Sequence, residues 1–259
     1  MPACGRGCQH VHWGVLMDHA SAGALLSVQG VTRLFGGVRA LDGVDLSVAP
    51  GEQLCLIGPN GCGKTTLFNV ITAQLPPTRG EVMFGGRALT GLAPHQIARL
   101  GIARKFQVPS VFEDLTVTEN LEVARFGLPA QAEGPDLPAL LRQIQLAERA
   151  QVLAGHLPHG ARQWLEIGML LAQAPQLLLL DEPTAGMTGA ETLATAALVR
   201  RLAQEAGTAV VVVEHDMRFV QALDARVVVM LAGRVVADGR FDEVRRLPQV
   251  RDAYLGAHA

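Results

Sequence analysis

QLCLIGPNGCGKTTLFNVI, residues 53–71, runs from an apolar strand through a glycine-rich turn into a helix. It contains the spacing GxxxxGK followed by Thr, in the order strand, loop and helix that this motif requires. Backbone N–H groups of such a turn wrap phosphate oxygens, the Lys64 ammonium adds positive charge, and the Thr65 hydroxyl is a ligand for Mg²⁺. A ligand-free turn would explain the glycines but not the Lys and Thr after them. The predicted nucleotide-binding loop consists of Gly58, Pro59, Asn60, Gly61, Cys62, Gly63, Lys64, Thr65 and Thr66.

Two adjacent carboxylates follow a second apolar run, LLLL at 177–180. Ligands of open α/β sheets lie at the carboxyl ends of such strands. Since neighbouring strand residues point in opposite directions, Asp181 is predicted to support Mg²⁺ through water and Glu182 to orient or deprotonate the attacking water. An acidic pair capping a helix is the alternative. The run VVVV ends similarly before Glu214 and His215, so His215 is predicted to reach the γ-phosphate, with a solvated histidine as the alternative.

Composition limits the possible partners of the chain. The 259 residues carry 22 basic and 24 acidic side chains, so charge gives no indication of a nucleic-acid partner. No apolar run approaches the roughly 20 residues of a membrane-spanning helix. Residues 1–24 are predicted to be a disordered leader or to follow a start assigned too early, with Met17 as the true start. The domain is predicted to cover 25–259.

The four cysteines suggest no disulfide framework and favour a reducing compartment. Cys62 lies beside Lys64 at a helix N-terminus, and we interpret it first as a position that simply tolerates a small residue. The alternative is that the helix N-terminus and Lys64 lower the thiol pKa and make nucleotide binding sensitive to oxidation.

The order of patterns along the chain predicts an α/β fold with three parts. The segment from Leu26 to about residue 84 is rich in alternating strand patterns. Residues 116–172 have helical spacing and predict a helical subdomain. Apolar strands then alternate with helices predicted at about 189–206 and 217–223, as in a parallel sheet covered on both faces. We therefore expect a parallel core sheet, an antiparallel β subdomain and an α-helical subdomain.

Over Leu26 to Gly256 the chain resembles the ATPase subunits of ABC transporters, which have a P-loop NTPase fold. The motifs occur in that family's order: GPNGCGKTT, Gln107 in RKFQ, LPHGA at 157–161, LLLLDEPTAG and VVVEHD. The resemblance implies ATP and Mg²⁺ as cofactors. It implies that Phe35 stacks on adenine, rather than being an ordinary core aromatic, and that Gln107 links the γ-phosphate and Mg²⁺ to a loop facing the membrane subunit. A solvated Gln107 is the alternative. The implied catalytic residues are Lys64, Gln107, Glu182 and His215, and the implied metal residues are Thr65, Gln107 and Asp181.

Finer features resemble the branched-chain amino acid branch of the family, since FGGVRAL and DAYLG match its first and last segments. Within that branch, RKFQ and HGARQWLEIGMLLAQ look most like the urea transporter ATPase of the D type. The resemblance implies an ATPase that energises urea uptake. The alternatives are a branched-chain amino acid importer, a soluble ABC-type ATPase, and an ATP-sensing module that hydrolyses poorly.

The segment LPHGA stands in place of the family's LSGGQ-like signature, which contacts ATP held by the other ATPase of a dimer. The resemblance implies that His159 and Gly160 act in trans, but Pro158 replaces the serine and Ala161 the glutamine. Because proline lacks a hydroxyl and an N–H, we expect a heterodimer with unequal sites. Two membrane permease subunits, and indirectly a periplasmic binding protein, complete the implied importer, with this subunit peripheral at the cytoplasmic face of the inner membrane. Thr188 stands where the family often has Asp, and Thr188 with Glu191 fits a helix-capping box equally well.

Overall fold

Two sheets and surrounding helices make up the part of the chain that the computed structural model describes, residues 23–105, 111–126 and 134–254. In chain order the strands are β1 (Leu26–Phe35), β2 (Val38–Val48), β3 (Gln53–Ile57), β4 (Arg79–Phe84), β5 (Arg87–Ala88), β6 (Ile102–Lys105), β7 (Leu177–Asp181), β8 (Ala209–Val213), β9 (Arg226–Leu231) and β10 (Arg234–Arg240). The helices are α1 (Lys64–Ile71), α2 (Pro94–Arg99), α3 (Val117–Arg125), α4 (Leu137–Gln143), α5 (His159–Leu171), α6 (Gly189–Ala206), α7 (Met217–Leu223), α8 (Phe241–Val244) and α9 (Pro248–Tyr254). The predictions for residues 1–22 and for Gln107 lie outside the described residues.

The larger sheet has the strand order β10-β9-β3-β8-β7-β6. The strands β9, β3, β8, β7 and β6 run parallel to one another, and the edge strand β10 is antiparallel to β9. Along β7, Leu177 and Leu179 belong to one core cluster, whereas Leu178 and Leu180 belong to the other. Both faces of the strand are therefore buried, which explains its continuous apolar sequence. The parallel register brings the carboxyl ends of β3, β7 and β8 to one edge.

The smaller sheet is antiparallel, with the order β2-β1-β4-β5. A tight turn at Gly36 and Gly37 joins β1 to β2 and pairs Phe35 with Val38 at the tip of the hairpin. One face of this sheet packs on helix α1 and the larger sheet, in a cluster that includes Leu26, Val44 and Phe68. The sheets confirm the predicted parallel core and antiparallel β region.

Helices α3, α4 and α5 pack together around Leu121, Leu140, Ile144 and Leu165. The contact between α4 and α5 is close, because a Cβ added to Gly168 would lie 2.6 Å from Ile144 Cδ1. Their domain boundary at about 116–172 stays a prediction. Among the described residues, no helix has both the length and the apolar character that crossing a bilayer requires.

Helices α3 and α6 begin with capping boxes formed by a threonine and a glutamate. At the start of α3, Thr116 and Glu119 satisfy each other's backbone N–H groups. Thr188 and Glu191 do the same at the start of α6. Each box closes the first turn with side chains of the same helix, so these N-termini serve the fold. The predicted capping role of Thr188 is confirmed.

Candidate nucleotide site

The loop from Gly58 to Gly63 connects the end of β3 to the start of α1. Gly63 is the N-cap residue of α1 at φ 108°, a left-handed conformation that glycine adopts readily. A Cβ on Gly63 would collide with the Ala40 carbonyl oxygen, and one on Gly58 with the carbonyl oxygen of Met230. No described side chain caps α1. Its first N–H groups therefore offer the anion-binding end of the helix dipole to a ligand.

Lys64 is buried in the mouth of this loop. Its Nζ donates hydrogen bonds to the carbonyl oxygens of Gly58 at 2.7 Å and Pro59 at 3.1 Å. The ammonium is thus held where the loop turns, beside the exposed residues Asn60, Gly61 and Thr65. This arrangement places a positive charge beside the uncapped N-terminus of α1. Phosphate binding by the loop stays a prediction.

Cys62 does not have the activated thiol that its position suggested. The residue is only 4% exposed, and burial raises the pKa of its thiol despite the opposing charge of Lys64, whose Nζ lies 3.9 Å from the sulfur. The alternative of a lowered Cys62 pKa is therefore wrong, because desolvation outweighs the neighbouring cation.

Asp181 ends β7 and is buried beside Arg104 of β6. The Arg104 Nη2 atom donates to Asp181 Oδ2 at 3.3 Å, and burial raises the Asp181 pKa while Arg104 opposes the rise. The other oxygen, Oδ1, has no hydrogen-bond partner among the described residues. A buried carboxylate oxygen needs a hydrogen-bond donor or a cation as its partner, and oxygen atoms are the ligands that Mg²⁺ prefers. The Asp181 carboxylate therefore fits a metal ion or its bound water, whereas the Thr65 hydroxyl as a second ligand stays a prediction.

Glu182 and His215 come from separate strands and meet at the same sheet edge. Glu182 has a left-handed backbone at φ 49°, and its N–H donates to Val213 O at 2.9 Å. His215 Nδ1 lies 3.8 Å from Glu182 Oε1, and the imidazole is exposed while the Glu182 side chain is partly exposed. A carboxylate and an imidazole from separate strands thus lie side by side at this edge. Their roles at the attacking water and the γ-phosphate stay predictions.

Glu214 is a positioning residue that the sequence did not reveal. Its carboxylate is fully buried and accepts hydrogen bonds from Thr184 N at 3.0 Å, from the Thr184 hydroxyl at 2.5 Å and from His215 N at 3.0 Å. It therefore ties the turn after Glu182 to the turn that carries His215. In the sequence, Glu214 is recognisable only as a charged residue at the end of an apolar strand. That pattern does not predict its partner Thr184, which lies 30 residues away.

Phe35 lies at the tip of the β1–β2 hairpin and is 42% exposed. The Arg33 guanidinium lies 4.8 Å from its ring centroid. The alternative of an ordinary core aromatic is therefore wrong, whereas stacking on adenine stays a prediction.

The LPHGA segment leads into α5, with Pro158 as the N-cap residue and no described side chain capping the helix. His159 Nε2 lies 2.9 Å from the Ala185 carbonyl oxygen, which places the segment beside the turn that follows Glu182. Gly160 packs against Glu191 of α6. The uncapped N-terminus resembles that of α1, but its surroundings are side chains of the neighbouring helix.

A family model described as "ABC transporter" matches residues 41–185, which include the glycine-rich loop, the LPHGA segment and both carboxylates. This chain belongs to the ABC transporter family. It is 38% identical over 249 residues to the high-affinity branched-chain amino acid transport ATP-binding protein BraF of Pseudomonas aeruginosa, and 39% identical over 249 residues to LivG of Escherichia coli, which has the same description. Each alignment covers 90% of this chain and 98% of the relative.

Solved structures agree with this assignment. An ATP-binding cassette of an ABC transporter in its ADP conformation has a TM-score of 0.79 and 30% identity, covering 90% of this chain and 99% of that one. A second cassette, described as a dimer in a post-hydrolysis state bound to ADP and Pi, has a TM-score of 0.70 and 26% identity, covering 83% of this chain and 98% of that one. The fold is that of an ABC ATPase, and this ABC ATPase chain is an ATP-hydrolysing enzyme.

Proposed function

We propose that this ABC ATPase energises an importer of branched-chain amino acids through separate membrane subunits. The observation that carries the proposal is the alignment with two proteins named for high-affinity branched-chain amino acid transport, which extends over nearly the whole of each relative. The chemistry of the nucleotide loop, Asp181, Glu182 and His215 supports it. Urea, which the finer motifs suggested, is therefore the second candidate rather than the first.

ATP binds, in this proposal, with its phosphates against the loop and the N-terminus of α1. The Lys64 ammonium neutralises the β and γ phosphates, and the backbone N–H groups hold their oxygens. Thr65 and Asp181, with Gln107 from outside the described residues, hold Mg²⁺. The ion, when bound, neutralises charge on the phosphates. Phe35 provides an exposed aromatic face for adenine.

Glu182 accepts the proton of the attacking water, and His215 donates a hydrogen bond to the γ-phosphate. The two side chains are already neighbours at 3.8 Å, and Glu214 holds their turns together. General-base catalysis contributes about 10²–10⁴-fold to such reactions. Glu182 is therefore the residue whose loss should separate ATP binding from hydrolysis.

We propose a heterodimer with a second ABC ATPase and two membrane permease subunits, peripheral to the cytoplasmic face of the inner membrane, with a periplasmic binding protein delivering the cargo and no nucleic acid involved. His159 and Gly160 contact the nucleotide of the partner ATPase. Pro158 removes a hydroxyl and an N–H from that contact, and each lost charge-assisted hydrogen bond costs about 1.5–3 kcal/mol. A partner with an intact signature would complete one strong site over this chain's own nucleotide loop.

Urea remains the second candidate because RKFQ and HGARQWLEIGMLLAQ resemble the urea branch. The two stretches also meet in the fold. Lys105, in RKFQ, forms a 3.0 Å ion pair with Glu166, in the α5 stretch QWLEIG, and both side chains are buried. The pair joins β6, which leads towards the loop proposed to face the permease, to helix α5. A contact of this kind is where a branch of the family would differ in coupling to its own membrane subunits.

The test is ATP turnover of the full complex, purified with its own partner ATPase and permease subunits and supplied with binding protein loaded with leucine or with urea. We expect leucine to stimulate hydrolysis. Glu182→Gln should lower turnover by about 100-fold or more while ATP binding is retained. Pro158→Ser should change turnover little if the partner's signature carries the active site.

Stimulation by urea alone would replace the first candidate with the second. If neither cargo raises turnover above the rate of the isolated chain, transport coupling is contradicted and an ATP-sensing role is the better account.

A further inference from the structure

Arg104 is a buried side chain that contacts both helix α1 and Asp181. Its Nη1 donates to Asn69 Oδ1 at 2.6 Å and to the Thr72 hydroxyl at 3.3 Å, so it is anchored to helix α1. Its Nη2 donates to Asp181 Oδ2 at 3.3 Å. The ion pair is almost completely buried, with side-chain exposures of 6% for Arg104 and 1% for Asp181. One guanidinium therefore joins the helix that begins at the nucleotide loop to the carboxylate that ends β7.

The contact fixes the orientation of the Asp181 carboxylate. A guanidinium is planar and presents its donors in a rigid fork, so it holds an oxygen in direction as well as in distance. Oδ2 is taken by Arg104, whereas Oδ1 has no hydrogen-bond partner among the described residues. Groups that hydrogen-bond to a metal ligand orient it and commonly set the affinity of the site.

We propose that Arg104 is a positioning residue for metal-dependent nucleotide binding. It holds Asp181 at a fixed place relative to α1, so that the Asp181 carboxylate and the Thr65 hydroxyl act on the same ion. The inference rests on the proposed role of Asp181 at Mg²⁺. A residue that only stabilised the fold would affect nucleotide binding equally with and without the metal.

The next residue along β6 provides a matched control. Lys105 is also cationic and its side chain is equally buried at 6% exposure, but it pairs with Glu166 on α5. Strand alternation sends the two side chains to opposite faces of the sheet. On these faces Ile102 packs in the cluster that contains α1, whereas Ala103 packs in the cluster that contains α5. Replacing Lys105 therefore removes a cation and breaks a comparable buried ion pair, but it leaves the hydrogen bond between Arg104 and Asp181 in place.

The experiment measures binding of a fluorescent ATP analogue to the full chain, with Mg²⁺ and with EDTA, for wild type, Arg104→Met, Arg104→Lys, Lys105→Met and Asp181→Asn. The quantity compared is the factor by which Mg²⁺ tightens binding. We expect Asp181→Asn to abolish this gain and Arg104→Met to lower it by about tenfold or to abolish it, with affinity in EDTA changed less than about twofold. Arg104→Lys, which keeps the charge without the fork, should be intermediate, and Lys105→Met should keep the wild-type gain.

Circular dichroism without nucleotide establishes whether each variant is folded. If Arg104→Met does not fold, the comparison is made with Arg104→Lys alone. If the Arg104 variants keep the wild-type gain while Asp181→Asn loses it, the positioning role is overturned and the proposed metal site stands. If Asp181→Asn also keeps the gain, the role of Asp181 at Mg²⁺ fails and the role of Arg104 fails with it. An equal loss with and without Mg²⁺ in the Arg104 variants would identify a structural role only.

Discussion

Helices α1 and α5 both begin without a side-chain cap, yet their entrances are built differently. At α1, Gly63 has φ 108°, and a Cβ there would strike the backbone carbonyl of Ala40. At α5, a Cβ on Gly160 would lie 2.5 Å from Glu191 Oε1, which is the end of a side chain. The α1 entrance is fixed by main chain, whereas the α5 entrance rests on a group that can move. The first suits a site complete within this chain, and the second suits one that closes against a partner.

The two entrances also differ in what else depends on them. Lys64 donates to the Gly58 and Pro59 carbonyls of its own loop, and the main-chain bond from Gly233 N to Cys62 O ties the loop to the turn after β9. The α1 entrance is thus held through main-chain groups. Glu191 instead divides its carboxylate, with Oε2 capping α6 through Thr188 and Oε1 facing Gly160. A change at the α5 entrance is therefore transmitted to α6, and His159 extends the link to the turn after Glu182.

The largest expected effect is at α1. Gly63→Ala places a Cβ on the Ala40 carbonyl in a left-handed conformation, so the loop must shift. We expect ATP affinity to fall by about 100-fold or more, because several backbone donors to the phosphates are displaced together. Gly61→Ala is the control, since Gly61 has φ 78° but open space around its Cβ position. That variant should lose about fivefold from backbone strain alone. Equal losses in the two variants would contradict the role of close packing.

A smaller effect is expected from Gly160→Ala at α5. The Glu191 side chain can rotate away from the new methyl group, so the isolated chain should bind ATP with wild-type affinity. In the assembled complex we expect turnover to fall by less than about tenfold, the equivalent of one weakened hydrogen bond. A loss as large as that of Gly63→Ala would show that the α5 entrance is as rigid as that of α1.

The smallest effect is expected at the N-cap of α6, whose Glu191 contacts the α5 entrance. Thr188→Ala removes the N-cap hydroxyl of α6, and we expect a Tm lower by about 2–4 °C near neutral pH. Hydrogen bonds from the Thr188 backbone and side chain lower the Glu191 pKa from its usual 4.5. The stabilisation of the folded state by the ionised Glu191 carboxylate is therefore complete above the Glu191 pKa of the unfolded chain. It is lost as pH falls through the lower Glu191 pKa of the folded chain.

Calorimetry of wild type and Thr188→Ala across this acid range checks the prediction. The difference in Tm between them should shrink as pH falls below 4.5, the reference value for the unfolded carboxyl. Thr116→Ala is the control, because the Glu119 pKa is lowered in the same way by an equivalent box on α3, away from α5. Both variants should show the same pH trend, and only Thr188→Ala should alter turnover of the complex. A pH-independent difference would contradict the part assigned to Glu191.

Local patterns predicted much of the fold. The predicted helices at about 189–206 and 217–223 coincide with α6 and α7, because periodicity and capping residues lie within each segment. The apolar runs before Asp181 and Glu214 predicted buried parallel strands for the same reason. The position of the nucleotide loop followed from one contiguous motif. By contrast, the Lys105–Glu166 and Arg104–Asp181 pairs join residues 61 and 77 positions apart, and no local pattern names such partners.

The sequence by itself determined the class of this protein: a glycine-rich loop, two carboxylates after a strand and a histidine after another, in an order that resembles one family. These features depend on residue type and short spacing, which are properties of the chain. Only the tertiary structure decided that the pKa of the Cys62 thiol is raised and that Glu214 joins two turns. It also decided that Arg104 forms a hydrogen bond to Asp181. Burial and long-range pairing set each of these, because desolvation and hydrogen bonds depend on what the fold brings together.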